Sequence, residues 1–337
     1  MSFWFKNILL IGFLIAFLGM AETAVVFASE SQPSKLGIHI LHPLQIPEAK
    51  SLVSDSSENW QYVTVPITLA DLERKDIWEQ FFAESREHKI IPIVRLATSF
   101  EDESWQIPTK HNVVVLLDFL QEFSWPTDQK HIIIFNEVNH ATEWQGTIAP
   151  EEYAAILEFS ADWAHTENAG FVVLPAAMDL AAPNGLRTAE AFTYWNKVLA
   201  ERPEIVNKID AWNSHSYPNP AFTASPKISG KNRIDGFLYE LAFLEKYTSR
   251  ELPVYITETG WRDTSLTSQR LSSYYQYAHD HIWSDERVVA VTPFVLQGAP
   301  GPFAEFSFLD EASKPTMQGL ALRALLESEN QTAYILK

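Results

Sequence analysis

The feature that most constrains the fold is a repeated alternation of short apolar runs with longer amphipathic stretches, which occurs eight times in 337 residues. The runs are rich in Val, Ile and Leu, a composition typical of parallel strands that are buried on both faces. The stretches between them have the length and spacing of helices. The predicted strands are residues 36–41, 60–67, 90–96, 131–135, 171–175, 209–215, 253–258 and 288–296.

Strands that alternate with helices in this way form right-handed βαβ units and a parallel sheet, and eight units favour closure into a barrel. An open doubly wound sheet is the rival, but no Gly-rich phosphate-binding turn follows the first run. The prediction is an α/β chain with a single (β/α)8 TIM barrel at residues 36–330. The predicted helices are 47–55, 71–88, 110–123, 150–168, 188–200, 234–247, 267–282 and 316–326.

The first 28 residues have the pattern of a targeting segment. Residues 7–21 are uncharged and mostly apolar, but the run is shorter than the roughly 20 residues that span a bilayer. It suits a secretory signal peptide, with a small-residue cleavage site at residues 26–28, or an uncleaved membrane anchor through residues 7–27. We expect a polar linker at 29–35 and a secreted or otherwise extracytoplasmic barrel.

The bulk composition excludes several classes of function. The chain has no cysteine, which excludes disulfides, thiolate catalysis and thiolate metal sites. Its formal net charge of −18 disfavours nucleic acid, anionic membrane surfaces and polyanionic substrates. We therefore expect no nucleic-acid partner.

Two of the predicted strands end in a glutamate. The apolar run 132–135 is followed by Asn136 and Glu137, and the run that begins at Val254 ends at Glu258. Chemistry in barrels occurs at the carboxyl ends of the strands. Because Glu137 leaves the fourth strand and Glu258 the seventh, closure of the barrel makes the two side chains face each other across one mouth. Hydrolysis of a glycosidic bond uses such a pair of carboxyl groups.

Three segments at strand ends carry a resemblance to a known family. Residues 135–139, Phe-Asn-Glu-Val-Asn, resemble the Asn-Glu-Pro motif on strand 4 of the clan A glycoside hydrolases, which are cellulase-like (β/α)8 retaining enzymes. Residues 256–261 resemble their nucleophile segment on strand 7, and residues 215–217 resemble their His-x-Tyr at the end of strand 6. The three motifs occur in the family's order, and the resemblance covers about residues 36–327.

The resemblance implies a retaining hydrolase of the O-glycosyl bonds of β-linked oligo- or polysaccharides, with no cofactor and no metal. It implies that Glu137 is the general acid/base and Glu258 the nucleophile. Four further residues are implied to bind the sugar or to orient and ionise the nucleophile: Asn136 at the 2-hydroxyl, Tyr217 and Arg95 at Glu258, and His215 in the same subsite.

The sequence departs from the family pattern at two places. Val138 replaces the usual Pro, and the eighth strand lacks the Trp that many members place under the cleaved sugar. Aromatic faces stack on sugar rings, so we expect Phe294 or Trp261 to replace it, and Trp144 and Trp261 to line the cleft. Trp105 is also near a strand end, whereas Trp212, inside a strand, is expected in the core.

Two other functions fit the same residues. One is a carbohydrate-binding barrel without turnover, which the presence of both carboxylates disfavours. The other is a metal-dependent hydrolase in which Glu137, Glu258 and His215 are the ligands. His39 and His42 lack the His-x-His spacing that such barrels use on the first strand, so we expect them to be core or surface histidines.

Overall fold

A computed structural model describes residues 33–53 and 59–335, with the side chains of the last helix up to residue 329. The predicted signal or anchor at 1–28 lies outside these residues. The linker at 29–35 stays a prediction, and its last two residues, Ser34 and Lys35, are hydrogen-bonded to the barrel. The Ser34 amide donates to the Trp60 carbonyl at 2.9 Å, and the Lys35 ammonium donates to the Asp285 carbonyl at 2.7 Å.

The described chain forms eight parallel strands that correspond to the eight predicted runs. Five of them form one continuous ladder in chain order, and the other three form a second. We label the strands β1 (Gly37–His39), β2 (Gln61–Ile67), β3 (Ile90–Leu96), β4 (Lys130–Ile134), β5 (Phe171–Pro175), β6 (Trp212–His215), β7 (Val254–Glu258) and β8 (Val288–Val291).

The two ladders join at both edges and close the barrel. Leu36 pairs with Val291 in a parallel bridge, and the Val291 amide donates to the Lys35 carbonyl at 2.6 Å. At the other edge the Asp210 amide donates to the Val173 carbonyl at 3.0 Å, which joins β5 to β6. The predicted TIM barrel is therefore the observed fold.

Helices follow the strands and cover the outside of the barrel. They are α1 (Ile46–Val53), α2 (Lys75–Glu87), α3 (Lys110–Gln121), α4 (Pro150–Glu167), α5 (Ala191–Glu201), α6 (Ile205–Lys208), α7 (Gly236–Leu244), α8 (Leu271–His281) and α9 (Met317–Ile335). Among the described residues, no helix has the length and apolar character needed to cross a bilayer.

Element boundaries differ from the prediction where local chemistry interrupts the regular pattern. β8 ends at Val291 rather than at 296, because Pro293 has no amide hydrogen to donate to a neighbouring strand. The short helix α6 ends just before the predicted sixth strand, and β6 begins at Trp212 rather than at 209. Residues 100–105, between the predicted third strand and the helix that follows it, contain an antiparallel hairpin of Phe100–Glu101 and Ser104–Trp105.

The apolar side chains form two separate clusters, as expected for a barrel. A large cluster lies between the strands and the surrounding helices and includes β-branched residues from alternate strand positions. A smaller cluster fills the inside of the barrel, so the interior is a packed core and the chemistry is confined to its mouth. The interior cluster contains Tyr62, Ile91, Ile93, Ile133, Leu174, Ala211, Tyr255 and Ala290.

One carboxyl group lies buried behind the barrel wall. Glu240 on α7 is 2% exposed, and its carboxyl group is hydrogen-bonded to the hydroxyl of Ser214 on β6. Burial raises the pKa of Glu240 to about 7. The folded protein therefore favours the protonated form of this group, whereas the unfolded chain ionises near pH 4.5.

Glu240→Gln is expected to stabilise the protein in a pH-dependent way. Below about pH 4.5 both states hold the proton, so the variant and the wild type should unfold at similar temperatures. As the pH rises through 7, the wild type bears the growing cost of a buried carboxylate, and the variant should gain up to about 3 kcal/mol. Thermal unfolding at pH 4.5 and 8 measures the difference, and an equal shift at both pH values would contradict it.

Candidate active site

The chain turns sharply where Glu137 leaves β4. Phe135 and Glu137 have φ values of 68° and 30°, a left-handed conformation that side chains rarely adopt. Such strain persists only where the surroundings enforce it, and it is common at functional sites. Here buried neighbours, among them Val138, fix the turn. The strained turn directs Asn136 and Glu137 to different neighbours at the mouth of the barrel.

Glu258 ends β7 and has a hydrogen-bond partner at each carboxylate oxygen. Arg95 Nη1 donates to Oε1 at 2.7 Å, and the Tyr217 hydroxyl donates to Oε2 at 3.1 Å. Arg95 is near the end of β3 and Tyr217 follows β6, so three strands meet on this carboxylate. Both residues lie where the resemblance placed them.

The structure brings Glu137, His215 and Glu258 into one cluster. His215 Nδ1 is 2.9 Å from Glu137 Oε1 and 3.8 Å from Glu258 Oε2. One side-chain oxygen or nitrogen from each of the three residues lies within 4.8 Å of the other two. The two carboxylates, which are distant in sequence, therefore face each other over a gap of a few ångströms.

Electrostatics distinguish Glu258 from its surroundings. Burial by itself raises the pKa of Glu258, but the neighbouring His215 and Arg95 outweigh burial and lower the pKa to about 2. Glu258 is thus a buried carboxylate that stays ionised at neutral pH. Burial lowers the pKa of His215, but the negative charges of Glu258 and Glu137 raise this pKa by a larger amount. The pKa of His215 therefore lies above its usual value.

His39 lies against the same carboxylate and was not predicted as a site residue. Its Nδ1 is 3.1 Å from the Thr257 carbonyl and 3.7 Å from Glu258 Oε1. Burial lowers the pKa of His39 to about 4, so the imidazole is neutral at pH 7. His39 is a core histidine, as expected, and its ring also forms the wall behind Glu258. Its position at the end of the first strand was the only sequence signal.

A third carboxyl group, Glu143, was also missed. It ends a short 3-10 turn (Ala141–Glu143) in the loop after β4, and it lines the same cavity as Asn136. Asn136 Oδ1 in turn accepts a hydrogen bond from Arg95 Nη1 at 2.8 Å. Burial, reinforced by the charge of Glu137, raises the pKa of Glu143 to about 7. In the sequence only its place in the β4 loop pointed to the site.

A cavity of about 230 Å3 lies beside these groups, on the β2 and β3 side of the mouth. Its wall includes Arg95, Asn136 and Glu143 together with the half-buried ring of Trp105. Phe100 packs edge-on against Trp105 at 5.3 Å and supports that ring from the hairpin. The cavity therefore combines an aromatic surface with polar groups, as carbohydrate sites do.

The prediction that Trp144 and Trp261 line the cleft is wrong, because both side chains are fully buried. Trp144 packs edge-on against Tyr153, and its Nε1 donates to Glu152. Trp261 packs among aromatic side chains of α8, and its Nε1 donates to the Ala224 carbonyl. Each ring lies near a strand end but points towards the helices. Trp105 is the tryptophan that faces the cavity.

The cluster of Glu137, His215 and Glu258 has the residue types of a metal site, but its geometry disfavours a divalent cation. Both oxygens of Glu258 already accept hydrogen bonds, from Arg95 and Tyr217. The guanidinium of Arg95 is a fixed positive charge 2.7 Å from the carboxylate, where it would repel a cation. These residues fit an anion held by hydrogen-bond donors better than they fit a ligand set.

A closed barrel with two facing carboxylates at its mouth is the arrangement that glycoside hydrolases use. The chain belongs to the glycosyl hydrolase catalytic core family, whose model matches residues 97–321, more than half of the sequence. The predicted resemblance to cellulase-like glycoside hydrolases is confirmed at this level. No curated protein matches the sequence.

Solved structures share the fold at low sequence identity. A family 39 glycoside hydrolase from Bacteroides cellulosilyticus WH2 has a TM-score of 0.63 and 15% identity over 89% of this chain, which spans 65% of that protein. GH5_18 from Streptomyces cattleya, in complex with GlcNAc, has a TM-score of 0.60 and 13% identity over 90% of this chain and 82% of that one. A GH128 endo-β-1,3-glucanase from Pseudomonas viridiflava has a TM-score of 0.54 and 15% identity, with 87% and 98% coverage.

The two tryptophans give a test of the site assignment. Trp105→Ala should weaken binding of oligosaccharides tenfold or more, measured as KM, and leave the unfolding temperature nearly unchanged, because the ring is partly exposed. Trp144→Ala should instead destabilise the fold by about 3–5 kcal/mol, measured by denaturant unfolding. A Trp105 variant with unaltered KM on every substrate would show that the cavity does not bind sugar.

Proposed function

We propose that the protein is a retaining glycoside hydrolase that cleaves β-linked glycans, with Glu137 as acid/base and Glu258 as nucleophile. The observation that carries this proposal is the gap between the two carboxylates, whose nearest oxygens lie within 4.8 Å. Retaining enzymes hold their carboxyl groups about 5–5.5 Å apart, whereas inverting enzymes need about 6.5–9.5 Å to admit a water molecule. A gap of this size between the nearest oxygens supports the retaining spacing.

In the first step Glu258 attacks the anomeric carbon of the sugar and forms a covalent glycosyl-enzyme. The low pKa of Glu258 supports this role, because a nucleophile must be ionised before it attacks. Arg95 and Tyr217 hold the carboxylate in place with one hydrogen bond to each oxygen. At the same time Glu137 donates its proton to the leaving oxygen, so no alkoxide has to depart.

In the second step a water molecule hydrolyses the glycosyl-enzyme. Glu137 gave its proton to the leaving oxygen in the first step, so it accepts a proton from this water as the water attacks the anomeric carbon. The bond between that carbon and Glu258 breaks, and Glu258 leaves as a carboxylate. Attack from the same face as the departed group restores the original anomeric configuration.

The cavity on the β2 and β3 side supports a glycan as the substrate. Glu137 must lie next to the leaving group, and it points towards His215 on β6. Asn136 points the other way, towards Arg95 on β3 and the cavity. We therefore place the leaving group on the β6 side and the sugar that carries the anomeric carbon on the cavity side. The endo-β-1,3-glucanase among the structural neighbours supports a β-linked glucan as the first class to test.

A carbohydrate-binding barrel without turnover is the second candidate. The ionised Glu258, which accepts a hydrogen bond at each oxygen, argues against this candidate. An ionised carboxylate is costly in free energy to bury, and sugar binding alone does not require one. Release of reducing sugar from a panel of β-linked polysaccharides and aryl glycosides decides between the two. No release by wild type on the whole panel would favour the binding protein.

The two carboxylates should respond differently to substitution. Glu258→Gln should lower kcat on all substrates by about 10^4-fold or more, because no glycosyl-enzyme forms. Glu137→Ala should lower kcat/KM, which reports the first step, by about 10^2–10^4-fold on substrates with poor leaving groups, and far less on activated aryl glycosides that need no proton. Kinetics on a series of aryl glycosides measures both effects.

Two further measurements test the roles of Glu137 and Glu258. Added azide should rescue Glu137→Ala and give a glycosyl azide of retained configuration, because the azide anion attacks the glycosyl-enzyme in place of water, displaces Glu258 and needs no general base. Proton NMR of the first product of wild type should show the β-anomer before mutarotation. Equal losses of Glu137→Ala on good and poor leaving groups, or a first product that is the α-anomer, would refute the assigned roles.

Arg95→Met is expected to move the acid limb of the pH profile. In the wild type the pKa of Glu258 is about 2, so this residue stays ionised across the usual assay range. Without the guanidinium, burial of Glu258 is less well opposed and its pKa rises, so kcat/KM should fall more at pH 4–5 than at pH 7. Arg95→Lys, which keeps the charge, should retain a limb near that of wild type. Identical acid limbs for Met and wild type would refute this role of Arg95.

A further inference from the structure

A histidine and an aspartate form a half-buried pair beside Glu137, on the side of the mouth that faces β5 and β6. His140 Nε2 is 3.0 Å from Asp179 Oδ2, and the two side chains are 28% and 30% exposed. The His140 amide donates to the Glu137 carbonyl at 2.8 Å. Asp179 follows β5 and pairs with His215 in a parallel bridge. The pair therefore lies next to Glu137 and to the histidine that contacts its carboxyl group.

One ring nitrogen of His140 is left for a ligand. Nε2 is taken by Asp179, whereas no group of the described chain is hydrogen-bonded to Nδ1. Both oxygens of Asp179 are in use, because Oδ1 accepts from the Ala181 amide at 2.8 Å. The aspartate is thus fixed at one oxygen by the backbone and holds the imidazole with the other. Nδ1 is the ring atom that a bound molecule can meet.

The charges around His140 favour its protonated form. The hydrogen bond to Asp179 raises the pKa of His140, and the negative charges of Glu137 and Glu143 raise it further, against the opposing effect of burial. A protonated imidazole carries a hydrogen on each nitrogen, so Nδ1 is then a donor. Hydrogen bonds from charged donors are stronger than those between neutral groups.

The two loops do not depend on this pair to hold them together. Asn139, which is fully buried, donates to the Asp179 carbonyl at 3.0 Å and accepts from the Asp179 amide at 3.1 Å. Asn139 also donates to the Ala189 carbonyl at 2.9 Å, and His140 pairs with Thr188 in an antiparallel bridge. Contacts to the backbone therefore fasten the loops, and the imidazole and its aspartate are available for another role.

We propose that His140, oriented by Asp179, binds a hydroxyl group of the sugar on the leaving-group side of the cleaved bond. The inference rests on the proposed function, which places the leaving group on the β6 side next to Glu137. The cavity that we assign to the other sugar lies on the β2 and β3 side, and neither His140 nor Asp179 is in its wall. His140 therefore selects for a sugar as the leaving group.

The same contact acts when a sugar replaces water in the second step. The acceptor hydroxyl gives its proton to Glu137, its oxygen bonds to the anomeric carbon, and Glu258 leaves as a carboxylate. This step is the reverse of the first step with a sugar leaving group, so the acceptor occupies the same place as that leaving group. Binding of a sugar beside Glu137 is thus measurable as transfer in competition with hydrolysis.

The experiment uses the β-fluoride of the sugar that wild type hydrolyses best as donor and the methyl β-glycoside of that sugar as acceptor. It measures the ratio of transfer product to free sugar at one acceptor concentration. Both products come from the same glycosyl-enzyme, and both need Glu137 as the base. A change in the first step, or in Glu137 alone, therefore cancels in the ratio, whereas a lost contact to the acceptor does not.

The variants separate the contact from volume and from folding. His140→Ala and His140→Leu remove Nδ1, and Leu keeps most of the volume, whereas His140→Asn keeps a donor near the position of Nδ1. Asp179→Ala removes the group that orients the ring. His281→Ala, an exposed histidine in the last turn of α8, is the matched control. Circular dichroism and the unfolding temperature verify that each variant is folded.

We expect the ratio to fall about tenfold or more in His140→Ala and His140→Leu, and about fivefold or more in Asp179→Ala, as for loss of a hydrogen bond to a charged group. The ratio should stay within about threefold of wild type in His140→Asn, which keeps a donor, and should not change in the control.

An unchanged ratio in a folded Ala or Leu variant of His140 would overturn the inference. An equal fall in His140→Asn would overturn it too, and so would wild type that hydrolyses the fluoride but transfers nothing to the acceptor. If wild type acts neither on the fluoride nor on any β-linked glycan, the proposed function fails instead, so the two failures are distinct.

Discussion

The ion pair between Arg95 and Glu258 is the interaction on which the site depends. A carboxylate that is 8% exposed is costly to keep ionised unless charged and hydrogen-bonding partners surround it. Arg95 supplies the permanent charge and a bond to one oxygen, and Tyr217 bonds the other. Because Arg95 is also hydrogen-bonded to Asn136, the same guanidinium links Glu258 to a side chain that lines the cavity.

Barrel closure makes this pair possible. Arg95 and Glu258 are 163 residues apart in sequence, and they meet because β3 and β7 both end at the same mouth. The interior below is filled by packed side chains, so the cavity lies above it at the mouth. The site also depends on the strained turn after β4. This turn directs Glu137 towards His215 and leaves Asn136 on the side of the cavity.

The sequence was a good guide to the positions of strands and a poor guide to the directions of aromatic rings. The motifs at residues 135–139, 215–217 and 256–261 each lie at a strand end of the closed barrel. A buried apolar run that is followed by polar residues identifies both the strand and the point where it ends. Trp144 and Trp261 also lie near strand ends, but their rings point into the layer of helices. Their direction depends on which neighbours complete that packing, and no local pattern records it.

The sequence by itself determined the positions of the eight strands, the family, and the location of Glu137 and Glu258 at strand ends. Buried parallel strands are continuous apolar runs and polar residues follow them, so both features are visible in the order of the residues. Only the tertiary structure decided how far apart the carboxylates are, that His39 forms the wall behind Glu258, and that Glu143 and Trp105 face the cavity. These facts depend on how strands and loops distant in sequence meet, and the distance between two side chains is a property of the closed barrel as a whole.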